Sequence, residues 1–339
     1  MTLFGCLDDI EVQLPEETGG RLVIAGRIQR SPDIYQFLVE VSRTTELENY
    51  LIDYEKSVEI RLIYTGSEIL TLPNNEALMI GIEEFHDLYG GAKEDATFNI
   101  KIILENGSVF LAEEQGILDP PADQSLSTNY EERSTLTDVE SVVTRGYVIL
   151  NTSTSLINSD GQRISMLYSV GGIYRFLEGG PPDKIKNVCY VPDLWPKNEI
   201  IVLNAKEVVG DTVQHHKLTE TIADSRFSAG YYFNVVAGSI TQDAATYWQE
   251  VGQSIKRDGS IFDVPVGAVR TNVRQMEGDS IPVLGYFYTA GIDTIRFRPR
   301  WEETGMQGFH CDVDPFKDGC ENCLTLEGSR LERPWYWVD

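Results

Sequence analysis

The sequence predicts a mainly β protein: an N-terminal immunoglobulin-like β-sandwich followed by a second mainly β domain that carries one amphipathic helix. Apolar and polar residues alternate over 35–41, 58–64 and 98–102, which is the period of a strand with one buried face. Asn106-Gly107 lies between two such runs and is a strong signal for a two-residue hairpin turn. Short alternating runs separated by turn residues are typical of β-sandwiches.

The second half of the chain continues in the same way, with one helix among the strands. Further short apolar runs predict strands near 147–150, 164–168, 200–203 and 231–236. Helical spacing marks a single apolar stripe formed by Ala244, Trp248, Val251 and Ile255. This stripe predicts a helix near 242–257, and either Ser239 or Thr241 can cap its start.

Composition divides the chain into four segments. Residues 1–20 form an N-terminal motif and an acidic tether, and 21–118 form the first sandwich. Pro120-Pro121 and the polar residues around them interrupt the alternation, which predicts a linker over 119–138. Residues 139–339 form the second domain with the helix and a cysteine-containing tail.

The charge balance excludes some classes of partner. Lys and Arg number 28 against 53 Asp and Glu, a formal net charge of −25. A surface this acidic repels phosphate backbones, so no nucleic-acid partner is expected. The hydrophobic content of 42% is that of a folded chain. No stretch approaches the roughly 20 apolar residues of a membrane-spanning helix, so we expect membrane contact only at the N-terminus.

The N-terminus contains a candidate lipidation site. Leu3-Phe4-Gly5-Cys6 resembles a bacterial lipobox, in which a small residue precedes the cysteine that is acylated. Only five residues precede Cys6, so the charged start and apolar stretch of a signal peptide are missing. Either the start is truncated or the resemblance is accidental. The acidic residues that follow are similar to the export tags of some surface lipoproteins.

The remaining cysteines form an even set: Cys189, Cys311, Cys320 and Cys323. In an exported chain this predicts two disulfides, among three possible pairings. We expect Cys189 to tie the middle of the chain to the tail. The alternatives are a zinc site built on Cys320-x-x-Cys323 with Cys311, His310 or His215-His216, and free thiols. A single Cys-x-x-Cys without a second pair favours disulfides.

No other constellation predicts a metal, a cofactor or a catalytic residue. The acidic turn of Asp312, Asp314 and Asp318 lacks the terminal Glu of a calcium loop. The four histidines are not placed in a triad pattern, so the chain is expected not to be an enzyme. Gly171-Gly172 and Gly179-Gly180 lack the context of a phosphate loop, and we expect turns there.

Aromatic residues cluster at the C-terminus. Trp335-Tyr336-Trp337 suits either an exposed platform for sugar rings or a terminal strand that packs its rings into the core, and the core is favoured.

Several segments together resemble the family of the domain of unknown function 4249. The resemblance is carried in order by "RLVIAGRI", "FNIKIILENGSVF", "NVCYVP", Tyr247-Trp248, "GSIFDVPVGAVRTNV", "IPVLGYFYTAG" and "CENCLTLEGSRLERPWYW". Family members are lipoproteins of Gram-negative bacteria, commonly encoded beside TonB-dependent outer-membrane transporters. The tail departs from the family pattern, because the cysteines there are spread rather than adjacent.

The resemblance implies a function that none of the catalytic, cofactor or metal motifs considered above indicates. It implies lipidation at Cys6, location in the outer membrane at the cell surface, and a non-enzymatic accessory role in capture or uptake with a TonB-dependent transporter. A structural or adhesive envelope protein with no transported ligand is the alternative. Neither function implies a cofactor.

Overall fold

The computed structural model describes residues 20–44, 52–90, 96–136, 141–180, 185–193, 199–255, 270–278, 281–305, 307–313 and 318–338. The strands of these residues are β1 (Leu22–Arg30), β2 (Ile34–Arg43), β3 (Asp53–Tyr54), β4 (Val58–Tyr64), β5 (Ser67–Leu72), β6 (Leu78–Gly81), β7 (Thr97–Leu104), β8 (Val109–Ala112), β9 (Gln115–Gly116), β10 (Gln124–Leu136), β11 (Val142–Ser155), β12 (Ser165–Leu177), β13 (Val188–Asp193), β14 (Ile201–Leu203), β15 (Thr212–Ile222), β16 (Tyr231–Ile240), β17 (Val273–Glu277), β18 (Val283–Leu284) and β19 (Phe287–Phe297). The α-helices are α1 (Ile82–Tyr89), α2 (Gln242–Ile255) and α3 (His310–Val313). Short 3-10 turns cover Ala205–Glu207, Ser225–Phe227, Trp301–Glu303 and Cys323–Thr325.

Within the described ranges these strands form three sheets. The central sheet has ten strands in the order β13-β12-β16-β19-β1-β2-β3, with β14, β18 and β6 beside β12, β1 and β2. A six-stranded sheet has the order β17-β8-β7-β4-β5, with β9 beside β7, and a three-stranded sheet has the order β10-β11-β15. The predicted mainly β class is confirmed.

The central sheet has a sandwich face that packs on both smaller sheets. Over β1 and β2, Ile24, Phe37 and Val39 meet the six-stranded sheet in one core. Over β12 and β16, Met166 and Phe233 meet the three-stranded sheet in a second core. These positions recur every second residue, so the alternation in the sequence places them all on one face.

The opposite face, here called the helix-side face, is covered at its two ends by different elements. Helix α2 packs Ala244 and Ala245 against Tyr288 and Ala290. The C-terminal segment packs Trp337 against Tyr190, Tyr232 and Ile173.

Helix α2 forms where its apolar stripe predicts. The Thr241 hydroxyl accepts a hydrogen bond from the Ala244 amide at 3.2 Å, so Thr241 rather than Ser239 caps the helix. The stripe is buried most deeply at its start, because Ala244 is fully buried whereas Ile255 is 47% exposed.

The predicted linker and domain boundary do not describe the structure. Residues 124–136 of the expected linker form strand β10, which pairs with β11 over its whole length. The first sandwich is not completed by 21–118, because β17 pairs with β8 and β19 pairs with β1. Both partners come from beyond residue 270, and a composition change along the chain gives no information about such long-range pairing.

The expected turn at Gly171-Gly172 is also wrong, because both glycines lie inside strand β12. A Cβ on Gly172 would lie 2.0 Å from the Tyr231 hydroxyl oxygen. That hydroxyl donates to Asp193 Oδ2 at 2.7 Å. Gly172 is therefore needed for close approach of a buried side chain rather than for a turn.

Candidate functional site

A groove lies on the helix-side face beside α2. Strands β1 and β19 are parallel neighbours there, and Arg27 is in register with Tyr288. Helix α2 brings Trp248 against Tyr288, with ring centroids 5.7 Å apart at an interplanar angle of 86°. Two cavities, of about 270 Å³ and about 70 Å³, share these three side chains as walls. We call them together the helix-side groove.

The smaller cavity of the groove is strongly aromatic. Tyr247 from α2 stacks on Tyr286 at 4.7 Å and 23°, and meets Trp248 edge to face at 5.3 Å. Tyr286 and Tyr288 are each only 5% exposed. Rings fixed in this way present rigid apolar surface at little cost in conformational entropy. The groove therefore offers preformed faces for a flat apolar group.

Two hydrogen-bond donors of the groove have no acceptor. Arg27 Nε and Trp248 Nε1 are buried, and neither donates to any described residue. A buried donor without a partner costs about 1–3 kcal/mol relative to a bonded one. An acceptor oxygen on a ligand would remove this cost at both atoms.

The tyrosines of the groove remain protonated in the neutral range. Burial is the main cause that raises the pKa of Tyr288, and both the charge of Arg27 and a side-chain hydrogen bond with Arg27 oppose it. Burial, followed by the charges of Asp243 and Glu113, raises the pKa of Tyr286 to about 12. Burial likewise raises the pKa of Tyr247. These phenols therefore act as neutral hydrogen-bonding groups rather than as bases.

A larger, polar cleft of about 780 Å³ lies along strand β15. Four of its charged side chains, Asp193, Lys217, Glu220 and Arg226, are already ion-paired. Arg226 Nη1 donates to both oxygens of Asp193, at 2.9 and 2.7 Å. Lys217 and Arg133 both contact Glu220. Burial opposes the charge of Arg226, yet hydrogen bonding to Asp224 and the charge of Asp193 raise its pKa. The helix-side groove, with its unpaired donors, is the better candidate.

With this geometry in view, the comparisons with known proteins identify the family. The model of the family described as "Domain of unknown function (DUF4249)" matches residues 8–296. The chain belongs to this family. No curated protein and no solved structure matches the chain.

The DUF4249 match contains the whole helix-side groove. Arg27, Trp248 and Tyr288 all lie within residues 8–296, whereas Cys311, Cys320 and Cys323 lie beyond its end. The groove therefore lies inside the matched region, and the cysteine-rich tail lies outside it.

The structure pairs the four predicted disulfide cysteines. Cys189 is bonded to Cys323, and Cys311 to Cys320, with Cα–Cα distances of 5.9 and 5.5 Å. All four are buried in one cluster with Phe176 and Val191. The expected pair of disulfides is confirmed, including the bond from the middle of the chain to the tail, and no cysteine of this set is left to ligate zinc.

The other residues weighed in the sequence are dispersed. Cys6 and Asp314 lie outside the described residues. His215 has a left-handed φ of 52° on β15, while His310 Nδ1 lies 2.5 Å from the Ser225 hydroxyl in the C-terminal region. In the described ranges, no three metal-binding side chains form a group. No described helix is long and apolar enough to cross a membrane.

The C-terminal aromatic residues divide between core and surface. Trp337 is 3% exposed and packs against Tyr190 and Tyr232, at 5.0 and 4.9 Å. Trp335 is 85% exposed. The preference for the core is confirmed at Trp337 and is wrong at Trp335.

Sequence reasoning missed Arg27. Its neighbours in the sequence are those of an ordinary strand, and its place in the groove depends on β19 lying beside β1. One signal was available: Arg27 lies in "RLVIAGRI", one of the segments that carry the family resemblance. Tyr247-Trp248 and "IPVLGYFYTAG" also carry that resemblance, and the fold brings all three segments to one groove.

Proposed function

We propose that this protein is a non-enzymatic lipoprotein of the outer membrane that captures a ligand in the helix-side groove for a TonB-dependent transporter. The observation that carries the capture step is the pair of buried, unpartnered donors on Arg27 and Trp248 within an aromatic cavity. Ligand sites in proteins combine mainly apolar walls with a few polar groups that fix orientation, and this groove has that composition.

Membrane attachment is supported by the lipobox-like residues that end at Cys6. Several acyl chains on one cysteine would anchor the protein durably, since each buried methylene contributes about 0.8 kcal/mol. The transporter as partner is supported by family membership, because genes of the DUF4249 family commonly lie beside TonB-dependent transporters.

Anchoring and partnership are tested together in the native host. The full chain, tagged at its C-terminus, is extracted from membranes and purified beside a Cys6→Ser variant and a Gln13→Ala control. We expect wild type and Q13A to need detergent, to carry acyl chains on Cys6 by intact mass, and to bring an outer-membrane barrel with them. Unmodified Cys6 would overturn the anchor, and acylated protein without a barrel would overturn the transporter role.

Ligand capture is tested separately with the purified full chain. A library of glycans, peptides and small acids is screened by the change in Trp fluorescence and by calorimetry, with Arg27→Met and Trp248→Phe as groove variants. Arg274→Met is the control, because Arg274 is an exposed arginine on β17 of the six-stranded sheet. A ligand that binds more weakly to both groove variants than to wild type, and equally well to R274M, would support capture in the groove. Failure of the whole library would favour the adhesive alternative.

A further inference from the structure

A second group of side chains that could bind a ligand lies on the helix-side face, at the end of β19 that is far from the groove. Arg296 and Arg298 alternate there with Ile295 and Phe297, which pack in the second sandwich core. Both arginines therefore extend from the opposite face of the strand. The Arg296 guanidinium carbon lies 5.0 Å from the ring centroid of Trp335 and 4.6 Å from that of Tyr336.

A cavity of about 650 Å³ opens beside Arg298. Its walls include Arg298, Arg300 and Trp301, together with Gly230. A Cβ on Gly230 would lie 3.2 Å from the Trp337 ring, so the cavity directly adjoins the C-terminal aromatic segment. We call Arg296, Arg298, Trp301 and Trp335 the arginine–tryptophan patch.

The patch is unusual for this chain in both charge and exposure. The protein carries a net charge of −25, yet in the described part of the chain no carboxylate pairs with Arg296 or Arg298. Arg298 donates to the backbone carbonyl of Val338 instead, and Arg296 lies over two rings. Trp301 is 62% exposed and Trp335 is 85% exposed, although tryptophan is usually well buried.

We propose that the arginine–tryptophan patch binds an acidic sugar, such as a uronic acid unit of an oligosaccharide. The C–H face of a pyranose ring is apolar and stacks on an exposed indole. A guanidinium fork matches the two oxygens of a carboxylate, and among the described residues no carboxylate is paired with Arg296 or Arg298. The adjoining cavity, which Arg298 and Trp301 of the patch line, is concave, and a concave surface fits a small ligand better than a flat protein surface.

A neighbouring acceptor suits the hydroxyls of the same ligand. Asn234 is the cross-strand partner of Arg296, and its Oδ1 is buried without a hydrogen-bond donor. A sugar hydroxyl that donates to Asn234 would lie beside a carboxylate held by Arg296. Acceptor and donor are thus supplied on adjacent strands.

The sheet surface between the patch and the groove is open. One cross-strand row there consists of Ser169, Val236 and Thr294. The outer two residues of the row are exposed, and Val236 between them is 36% exposed. From Tyr288 to Arg296 the strand spans roughly 26 Å at about 3.3 Å per residue. A linear acidic oligosaccharide can therefore reach from one site to the other. This proposal rests on the ligand-capture part of the proposed function and names its ligand class.

The test uses calorimetry on the purified full chain with three probes: a linear oligomer of galacturonic acid, a neutral galactose oligomer of equal length, and inorganic sulfate. We expect the acidic oligomer to bind at least tenfold more tightly than the neutral one, and sulfate alone not to bind measurably. Arg296→Gln and Trp335→Ala should each weaken the acidic oligomer about tenfold or more. Arg296→Lys should lie between wild type and R296Q, because it keeps the charge and loses the fork.

Arg274→Gln is the matched control, and unfolding temperatures confirm that each variant is folded. Equal binding of both oligomers, or binding unaffected by R296Q, would overturn the proposal. So would sulfate binding with no sugar binding, or capture of a protein at the patch in place of sugar. A negative result here leaves the Cys6 and barrel experiments unaffected, so failure of this proposal is distinguishable from failure of the proposed function.

Discussion

Cys189 in strand β13 is bonded to Cys323, which follows it by 134 residues. The second disulfide, Cys311–Cys320, spans only 9 residues in the same buried cluster. In the chain-entropy model, closing a loop of 134 residues stabilises by about 5 kcal/mol, and closing a loop of 9 by about 2.5 kcal/mol. The long bond fixes the tail to the central sheet, and the short bond shapes the tail locally.

The first prediction compares the two bonds. Replacing Cys189 and Cys323 by Ser should lower the free energy of unfolding by about 2 kcal/mol more than replacing Cys311 and Cys320, because the longer loop is released. Urea unfolding of the two double variants measures this difference. Equal losses would show that local strain or packing, and not loop closure, sets the contribution of each disulfide.

The second prediction concerns Gly285, in the segment between β18 and β19. Gly285 has a φ of +94°, and a Cβ there would lie 2.2 Å from the Ile24 carbonyl oxygen. Gly285→Ala should therefore cost about 2–5 kcal/mol, through both the left-handed conformation and the backbone clash. Thermal and urea unfolding provide the measurement.

Gly66→Ala is the control for Gly285, because Gly66 has a similar φ of +79° and open space around it. It should cost about 1 kcal/mol from conformation alone. If the two substitutions cost the same, close approach of β1 to the Gly285 segment is not a constraint on the fold.

The third prediction concerns pH. Burial lowers the pKa of His216 below its ordinary value of 6.5. The unfolded chain therefore binds a proton on this residue at a higher pH than the folded chain does. Protonation favours the unfolded chain, so the free energy of unfolding falls as pH falls below about 6.5. His216→Gln should lose less stability than wild type between pH 7.5 and 5.5. Unfolding midpoints at the two pH values measure this, and identical pH slopes would contradict it.

The fourth prediction links stability to the groove. Because Arg27 Nε is buried without an acceptor, Arg27→Met should raise the free energy of unfolding by about 1 kcal/mol while it removes ligand binding. Arg61→Met is the control, since Arg61 donates to Glu59 and Glu68 on the surface and should change stability little. A larger loss of stability for R27M than for R61M would mean that Arg27 serves the fold rather than a ligand.

Much of the fold could be predicted from local patterns. Alternation placed strands β2, β4 and β7, and the Asn106-Gly107 turn joins β7 to β8 with Gly107 at a φ of +83°. The helical stripe predicted α2, and Thr241, one of the two candidate caps, caps it. The even set of cysteines predicted two disulfides, because an even number of cysteines in a chain that is expected to be exported is typical of disulfide bonding.

The sequence by itself determined which face is buried in the alternating strands β2, β4 and β7, that a helix begins near residue 242, and to which family the chain belongs. Only the tertiary structure decided that β1 pairs with β19, that Gly172 makes room for Tyr231, and that Arg27, Trp248 and Tyr288 meet in one groove. The physical reason is that a period of two fixes the inward side of a strand without specifying its neighbour. Pairing between strands separated by more than 200 residues depends on how the sheets pack as a whole. The groove forms only because that packing brings three distant segments of the chain together.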